Sequence, residues 1–588
     1  MKRYTYLYYL LLSVTVLAGC KKMLEPRVDN TFAEDINWKL PNKAEGVLID
    51  IYADIPSRFD FYNGNNFLDA ATDNAVTNNF NSGIYRLGSG ALAANDNPLG
   101  DWTNLYNQIA KANQFIEKGL TANTIYDIVS TANDSIIKRK LRGEAYFLRA
   151  WNSFQLLQLY GGKTNAGEAL GYPISTKVLT DAEAKNLNIT RNTYQECAAQ
   201  IMNDCDSAVK YLPTQYAGTD AVFGIRNLGR ADLRVAAALK AKTALYAASP
   251  AYQTDAVTKI TAMGQFSVVD AAEYNTNWIR ATESARQAIV LIGNFTSLKP
   301  ADFSNPVTPA DFIWRRFHNN NFMEYAQYPP HEYGDAVTGP SQNLVESFPA
   351  LNGYPITDAR SGYSAQNPYA NRDPRLSMNV YFNSALIDGR EVQLFDGGLD
   401  ARSRYFNASR TGYYLKKWLS VKSDLLNPLN PLLDFHYYVM LRKTEVYLNF
   451  AEAANEAYGP NVIPPGASFS ASTVIKNIRK GAGLTAATSD AYVNEVAALG
   501  KDAFRNLIQN ERRLELAFEN HRYFDLRRWV LPLNATVKGV VVTKTGSTYS
   551  YAVQNVEDRK LDMIRNYYLP LPYTELSKSP SLVNNFGW

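Results

Sequence analysis

Residues Asn510 to Trp529 read NERRLELAFENHRYFDLRRW, with nine charged side chains and five rings in twenty positions. Such a set could do three kinds of work. Glu511, Glu515 and Glu519 recur at every fourth position, so on a helix they share a face from which a general acid and base could be drawn. Arginines interleaved with rings could grip a nucleic acid. The same residues could also brace a scaffold. Glu519–Arg522 and Asp525–Arg528 have the i,i+3 spacing of helix-surface pairs, while Leu514, Ala517, Phe518 and Phe524 supply apolar packing. A catalytic pair needs a cleft that perturbs its carboxylates, and none is visible in the stretch. The sequence favours scaffold and assigns no catalytic residue.

The elements around this stretch set its context. The chain has 588 residues, 46% hydrophobic and 20% charged. That is enough to bury a large core in one body or several. Lys2 and Arg3 precede an uncharged, mostly apolar run, Tyr4 to Leu17, and then Leu17-Ala18-Gly19-Cys20. The run is shorter than the roughly 20 residues of a membrane-crossing helix. It has the order of a secretory signal peptide, and a cysteine directly after Leu-Ala-Gly is the pattern of a bacterial lipoprotein signal. Residues 1–19 are read as the signal and Cys20 as the lipidated first residue, tethering a body with no further membrane-length apolar run. Removal of Lys2 and Arg3 takes the formal charge from +4 to +2. A nearly neutral, exported chain is a poor nucleic-acid binder.

Cys197 and Cys205 lie eight positions apart in a helical pattern, about 12 Å along its axis, too far for a disulfide. Two free, buried thiols are expected. The four histidines (His318, His331, His436, His521) have no metal-ligand spacing, so no metal or cofactor is expected.

Periodicity predicts helices over Asn42–Ile55, Trp102–Lys118, Asp134–Tyr160, Thr193–Tyr211, Ala231–Ala248, Glu273–Ile292, His436–Tyr458, Ser472–Lys480 and Asp502–Trp529. Within Asp134–Tyr160, Phe147, Ala150, Trp151, Phe154 and Leu157 cover one face and Leu141, Ala145, Leu148, Leu156 and Leu159 another. That helix should be enclosed, with Gly161-Gly162 as its stop. Ala237, Ala241, Ala244 and Ala248 make a stripe that permits close helix approach. The expected fold class is mostly α: a tetratricopeptide-like stack of helical hairpins with a large loop-rich region and a few short strands.

Two regions break the helical pattern: Phe61–Gly100, rich in Asn, Asp and Gly, and Phe295–Pro431, rich in Pro and Tyr. Long loops with many aromatics point to function rather than disorder. Ring faces combined with amide, carboxylate and guanidinium groups suit a sugar, whose flat C–H faces are edged with hydroxyls. The candidate ligand residues are Asp73, Asn78, Asn79 and Arg86 in the first region and Trp314, Tyr325, Tyr328 and Tyr333 in the second. Each has a plainer reading. Trp314 sits in a strand-like segment and is the stronger candidate for core than for platform. The tyrosines could pack their loop, and Asp73 and the asparagines could make turns.

Several stretches resemble one family, the SusD/RagB outer-membrane lipoproteins of Bacteroidetes. ERRLELAFENHRYFDLRRW is similar to the family's C-terminal stretch and RGEAYFLRAWNSFQLLQLYGG to its N-terminal helix signature. GPSQNLVESF, NRDPRL, MLRKTEVYLNFAEAANEAYG, VIKNIRKGAGL and YYLPLPYTELSKSPSLVNNFGW match further blocks in family order. Asn520 stands where Gly is usual and tolerates the same left-handed backbone; Phe586 stands where Pro is common. The resemblance implies residues 20–250 as an N-terminal SusD-like region and 251–588 as the C-terminal region of one compact body. It also implies a location on the outer face of the outer membrane. The expected activity is non-catalytic capture of an oligosaccharide, or of a peptide in some members, for a SusC-like TonB-dependent transporter. No ligand residue transfers by motif, because the matching blocks are scaffold blocks. A lipid-anchored hydrolase and a protein–protein adaptor are the other classes; no G-x-S-x-G or H-E-x-x-H site supports the first, while a helical-repeat stack suits the second.

Overall fold

The computed structural model describes residues 34–588 apart from 63, 181, 184–188 and 423. Cys20 and the signal segment lie outside the described residues.

The scaffold is a run of helices, each packed on the next: α1 (Pro41–Asp54), α2 (Trp102–Lys118), α3 (Thr131–Tyr160), α4 (Tyr194–Tyr211), α5 (Leu233–Ala248), α6 (Ala271–Ile292) and α7 (Lys443–Tyr458). Their starts are written in side-chain caps. Ser130 accepts from Asn133 N, Asp232 from Arg234 N and Val235 N, and Thr193 forms a reciprocal capping box with Glu196. The two faces of α3 are enclosed, with Leu141, Leu148, Phe147 and Phe154 all buried. The chain then leaves at Gly161, where a Cβ would stand 2.6 Å from the Tyr194 ring. The alanine stripe of α5 is buried between α4 and α6. Cys197 and Cys205 are free and fully buried, and burial pushes the Cys197 thiol up to about 12.

Helices α8 (Ala471–Gly481), α9 (Ala487–Ala498), α10 (Lys501–Glu515) and α11 (Arg522–Arg528) complete the C-terminal part, α8 and α10 packing on α7. Strands are short and occur only in two-stranded sheets among the described residues. Three antiparallel pairings matter here: β1 (Ala75–Thr77) with β3 (Thr338–Pro340), β2 (Phe312–Asn320) with β4 (Asp434–Arg442), and the hairpin β5 (Thr536–Thr545) with β6 (Thr548–Asp558).

Two helix expectations need correction. His436–Arg442 is strand, not the start of a helix; β4 pairs with β2, His436 opposite His318, and α7 begins only at Lys443. The apolar alternation of DFHYYVMLR suits a pleat as well as a helix, and no breaker separates it from α7. Asp502–Trp529 is likewise two helices. Phe518 and Asn520 have φ of 57° and 61°, and the left-handed turn they make ends α10. Asn520 fits because its side chain is used on both ends, accepting from Leu68 N at 2.8 Å and donating to Phe59 O at 2.9 Å.

The charges of Asn510–Trp529 are internal. Arg442 reaches Asp311 at 3.1 Å, Glu515 at 3.0 Å and Glu519 at 2.9 Å. Arg375 meets Glu511 at 2.6 Å and Glu515 at 3.1 Å, and Lys417 meets Glu519 at 2.8 Å. Arg512 and Arg528 both hold Asp525 at 2.8 Å, and Arg528 with the Trp529 indole N–H grips Glu452 on α7. The Asp525–Arg528 pair is therefore as the spacing predicts. The Glu519–Arg522 pair does not form, because the turn at Phe518–Asn520 carries the two apart: Glu519 goes to Arg442 and Lys417, and Arg522 to Asp73 at 2.9 Å.

Candidate functional site

The Asn-rich and Tyr-rich regions, separated by some 250 residues, meet through β1 and β3, with Val76 opposite Gly339. Asn78 extends the junction. Its Nδ2 donates to Ala336 O at 2.7 Å and Asn407 O at 3.1 Å, drawing in a third segment, 405–410. Arg410 closes it, donating to Thr77 O at 3.0 Å while its guanidinium lies 4.6 Å from the centroid of Phe80. His331 Nδ1 and the Tyr405 hydroxyl lie 3.3 Å apart, and Arg390 ties Glu332 to Asp400. On this braced surface the rings are left out: Phe80 is 49% exposed, Tyr325 43%, Tyr333 59% and Phe406 88%.

The expected ligand residues divide accordingly. Tyr325 and Tyr333 are exposed on this surface, Tyr333 with φ of 64° at the end of a short 3₁₀ turn. Asn79 is half-buried, its Oδ1 accepting from Asn81 N. Tyr328 is buried and donates its hydroxyl to Ser420 O at 2.8 Å. It lines, with Tyr333, Tyr381 and Lys416, a small pocket of about 140 Å³. Trp314 is core: its indole N–H donates to Gly229 O, and Phe147 and Trp151 meet its ring edge-to-face at 4.8 Å. Asp73 is anchored by Arg513 at 3.0 Å and Arg522 at 2.9 Å. Burial opposes its charge, but the two arginines outweigh burial and keep the carboxyl well below the usual range. The Asn78 Nδ2 is shared among three carbonyls while its buried Oδ1 accepts from no described group, and Arg86 pairs with Asp96 at the surface. Phe80, Phe406 and Arg410 were not singled out from sequence. Phe80 carried a signal, a lone aromatic in an Asn-rich loop; Phe406 and Arg410 carried none.

Two family models match the chain: "SusD family" over residues 311–588 and "Starch-binding associating with outer membrane" over residues 24–223. The chain belongs to the SusD family. A SusD-like protein of Formosa agariphila, P2, is 24% identical over 477 residues, covering 79% of each chain. Among solved structures, a SusD-like protein from Bacteroides fragilis superposes with a TM-score of 0.69 at 23% identity, covering 95% of this chain and 99% of that one. A second from the same species, described as a SusD-like carbohydrate-binding protein, gives 0.63 at 19%, covering 93% and 99%. The mostly helical, tetratricopeptide-like fold is thus that of the SusD-family structures.

A second concavity of this SusD-family chain lies on the helical side. It holds about 390 Å³ between the end of α1, the loop Pro98–Asp101, α3, β4 and the turn Glu519–His521. Phe61 stacks on Tyr62 at 4.1 Å and meets Tyr438 edge-on at 5.8 Å. Asp54 and Asp101 flank it, bridged by the Asn104 amide, and burial together with the neighbouring Asp54 pushes Asp101 up to about 6. Among the described residues no group of three or more His, Cys, Asp or Glu is placed to hold a metal ion.

Proposed function

We propose that the chain is a cell-surface lipoprotein that binds an oligosaccharide on the surface built by segments 78–80, 325–333 and 405–410. It passes that ligand, without cleaving it, to a SusC-like TonB-dependent outer-membrane transporter, and its anchor is Cys20. The observation that carries the reading is the convergence of three distant segments into one rigid surface that leaves Phe80, Tyr325, Tyr333 and Phe406 exposed. Large rings cost free energy in water, and a surface that holds several out on a braced frame is pre-organised for flat, apolar ligand faces. The family match and the carbohydrate-binding description of a structural neighbour support glycan as the ligand class and the outer membrane as the location. Glu511, Glu515 and Glu519, the only acid row in the signature stretch, are committed to buried cations, which supports a non-catalytic role.

The test is a binding screen of polysaccharides and peptide digests, with each mixture also assayed for cleavage. Selective retention of one glycan, lost in Phe80→Ala and Tyr333→Ala, supports the reading. Binding of peptides alone moves the chain to a peptide-importing role, and cleavage that survives stringent purification overturns it. Co-purification from detergent extracts without any β-barrel partner counts against the transporter.

A further inference from the structure

The 390 Å³ cleft on the helical side is lined by polar groups that the protein does not satisfy. No described group hydrogen-bonds to the Tyr62 hydroxyl, the Tyr438 hydroxyl, the Trp151 indole N–H or either end of the Gln155 amide. Asn152 donates to Leu148 O, and nothing described donates to its Oδ1. These atoms are open to solvent rather than sealed in the core, and a cleft that gathers several free donors and acceptors beside ring faces exchanges that water for the hydroxyls of an occupant. The charged groups at its floor, by contrast, are already matched: Lys242 to Glu445 at 3.0 Å and Glu519 to Arg442 and Lys417. The floor therefore offers no unpaired charge to an ionic occupant. Asp54 and Asp101 at the mouth add a field that repels anions. The remaining walls are rings and aliphatics, with Phe61, Tyr62 and Tyr438 arranged as a corner. The volume falls in the range of about 300–1,000 Å³ typical of small-molecule sites.

We propose that this cleft is a second ligand site, for a neutral saccharide of one or two pyranose rings, separate from the exposed loop surface. A pyranose offers hydroxyls to both donors and acceptors and C–H faces to the ring corner, which is the complement of this lining. The site stands whether or not the loop surface binds glycan, since it shares none of that surface's residues.

The experiment uses the full chain, with maltose, cellobiose and lactose as neutral probes and digalacturonate as the acidic control, read by calorimetry and ligand-observed NMR. The expected result is saturable one-site binding of at least one neutral disaccharide and none of digalacturonate. The double variant Tyr62→Phe/Tyr438→Phe keeps both rings and removes only the hydroxyls; it and Gln155→Leu should each weaken binding about tenfold or more, with an unchanged Tm. Phe80→Ala/Tyr333→Ala should leave disaccharide binding intact. The proposal is overturned if no neutral disaccharide binds. It is equally overturned if binding ignores the Tyr62, Tyr438 and Gln155 changes but is lost with the loop variant. Loss of polysaccharide retention in the loop variant, with disaccharide binding kept, separates the fate of this site from that of the loop surface.

Discussion

Arg442 is the cation on which the signature stretch turns, and its removal has a calculable effect. Arg442→Met keeps an unbranched apolar stem and deletes the charge that Asp311, Glu515 and Glu519 share. Glu515 shows what is at stake. Burial alone would raise its carboxyl, yet Arg442, Arg375 and Lys417 together lower it from 4.5 to about 2. A displacement of that size corresponds to about 3 kcal/mol of folding free energy at neutral pH, divided among the three cations. Asp311 has no other cationic partner among the described residues, and burial already holds its carboxyl above the usual range. Removing one partner of a buried ion pair costs about 3–5 kcal/mol, so a loss of that order is expected at pH 7. The assay is reversible urea unfolding followed by tryptophan emission. The acid range supplies a second readout. The stability that Glu515 gains from a depressed pKa is fully present above about pH 5 and is lost as pH falls towards 2. The native chain has more of it to lose than the variant, so the gap between them should narrow from pH 5 downward. A deficit under about 1 kcal/mol at pH 7, or one that stays constant through the acid range, would refute the account of the network.

Asn520→Ala should cost about 2–3 kcal/mol, because it strains a left-handed backbone and strands Leu68 N and Phe59 O; Asn520→Gly should cost less, having only the second defect, and urea midpoints will rank them. Gly353→Ala should be destabilising beyond about 1 kcal/mol, since its φ is 93° and a Cβ would stand 2.5 Å from the Ser489 Cα; a thermal scan checks it. With Cys20 changed to Ser, Cys197 and Cys205 should resist a thiol reagent at pH 8 until the protein unfolds, because both are buried and protonated; fast labelling of either under native conditions contradicts the packing of α4.

Much of the scaffold could be read from the chain, because its helices obey local rules. Trp102–Lys118 was legible to the residue, and α3 to α6 within three positions, since apolar periodicity, caps and Gly161 all agree there. The errors fall where a distant partner decides. Asp434–Arg442 is strand because Phe312–Asn320 lies beside it, and the break at Asn520 depends on Leu68 and Phe59 being there to receive its side chain. The loop surface was legible as two regions but not as residues. Tyr333 and Tyr325 are exposed, whereas Trp314, Tyr328, Asp73 and Asn78 serve the frame; the strand-like segment around Trp314 pointed to core, but nothing in the local sequence separates the others. The helical-side cleft left no trace in the sequence, being assembled from six separate segments.

The pairing of Ala75–Thr77 with Thr338–Pro340 fixes both loop regions at their roots, while Asp73, clasped by Arg513 and Arg522, fastens one of them to the last helices. Between these clasps the outward side chains contribute little to holding the body together. Side chains at the loop tips can therefore change almost one residue at a time while folding stays under the control of the helices.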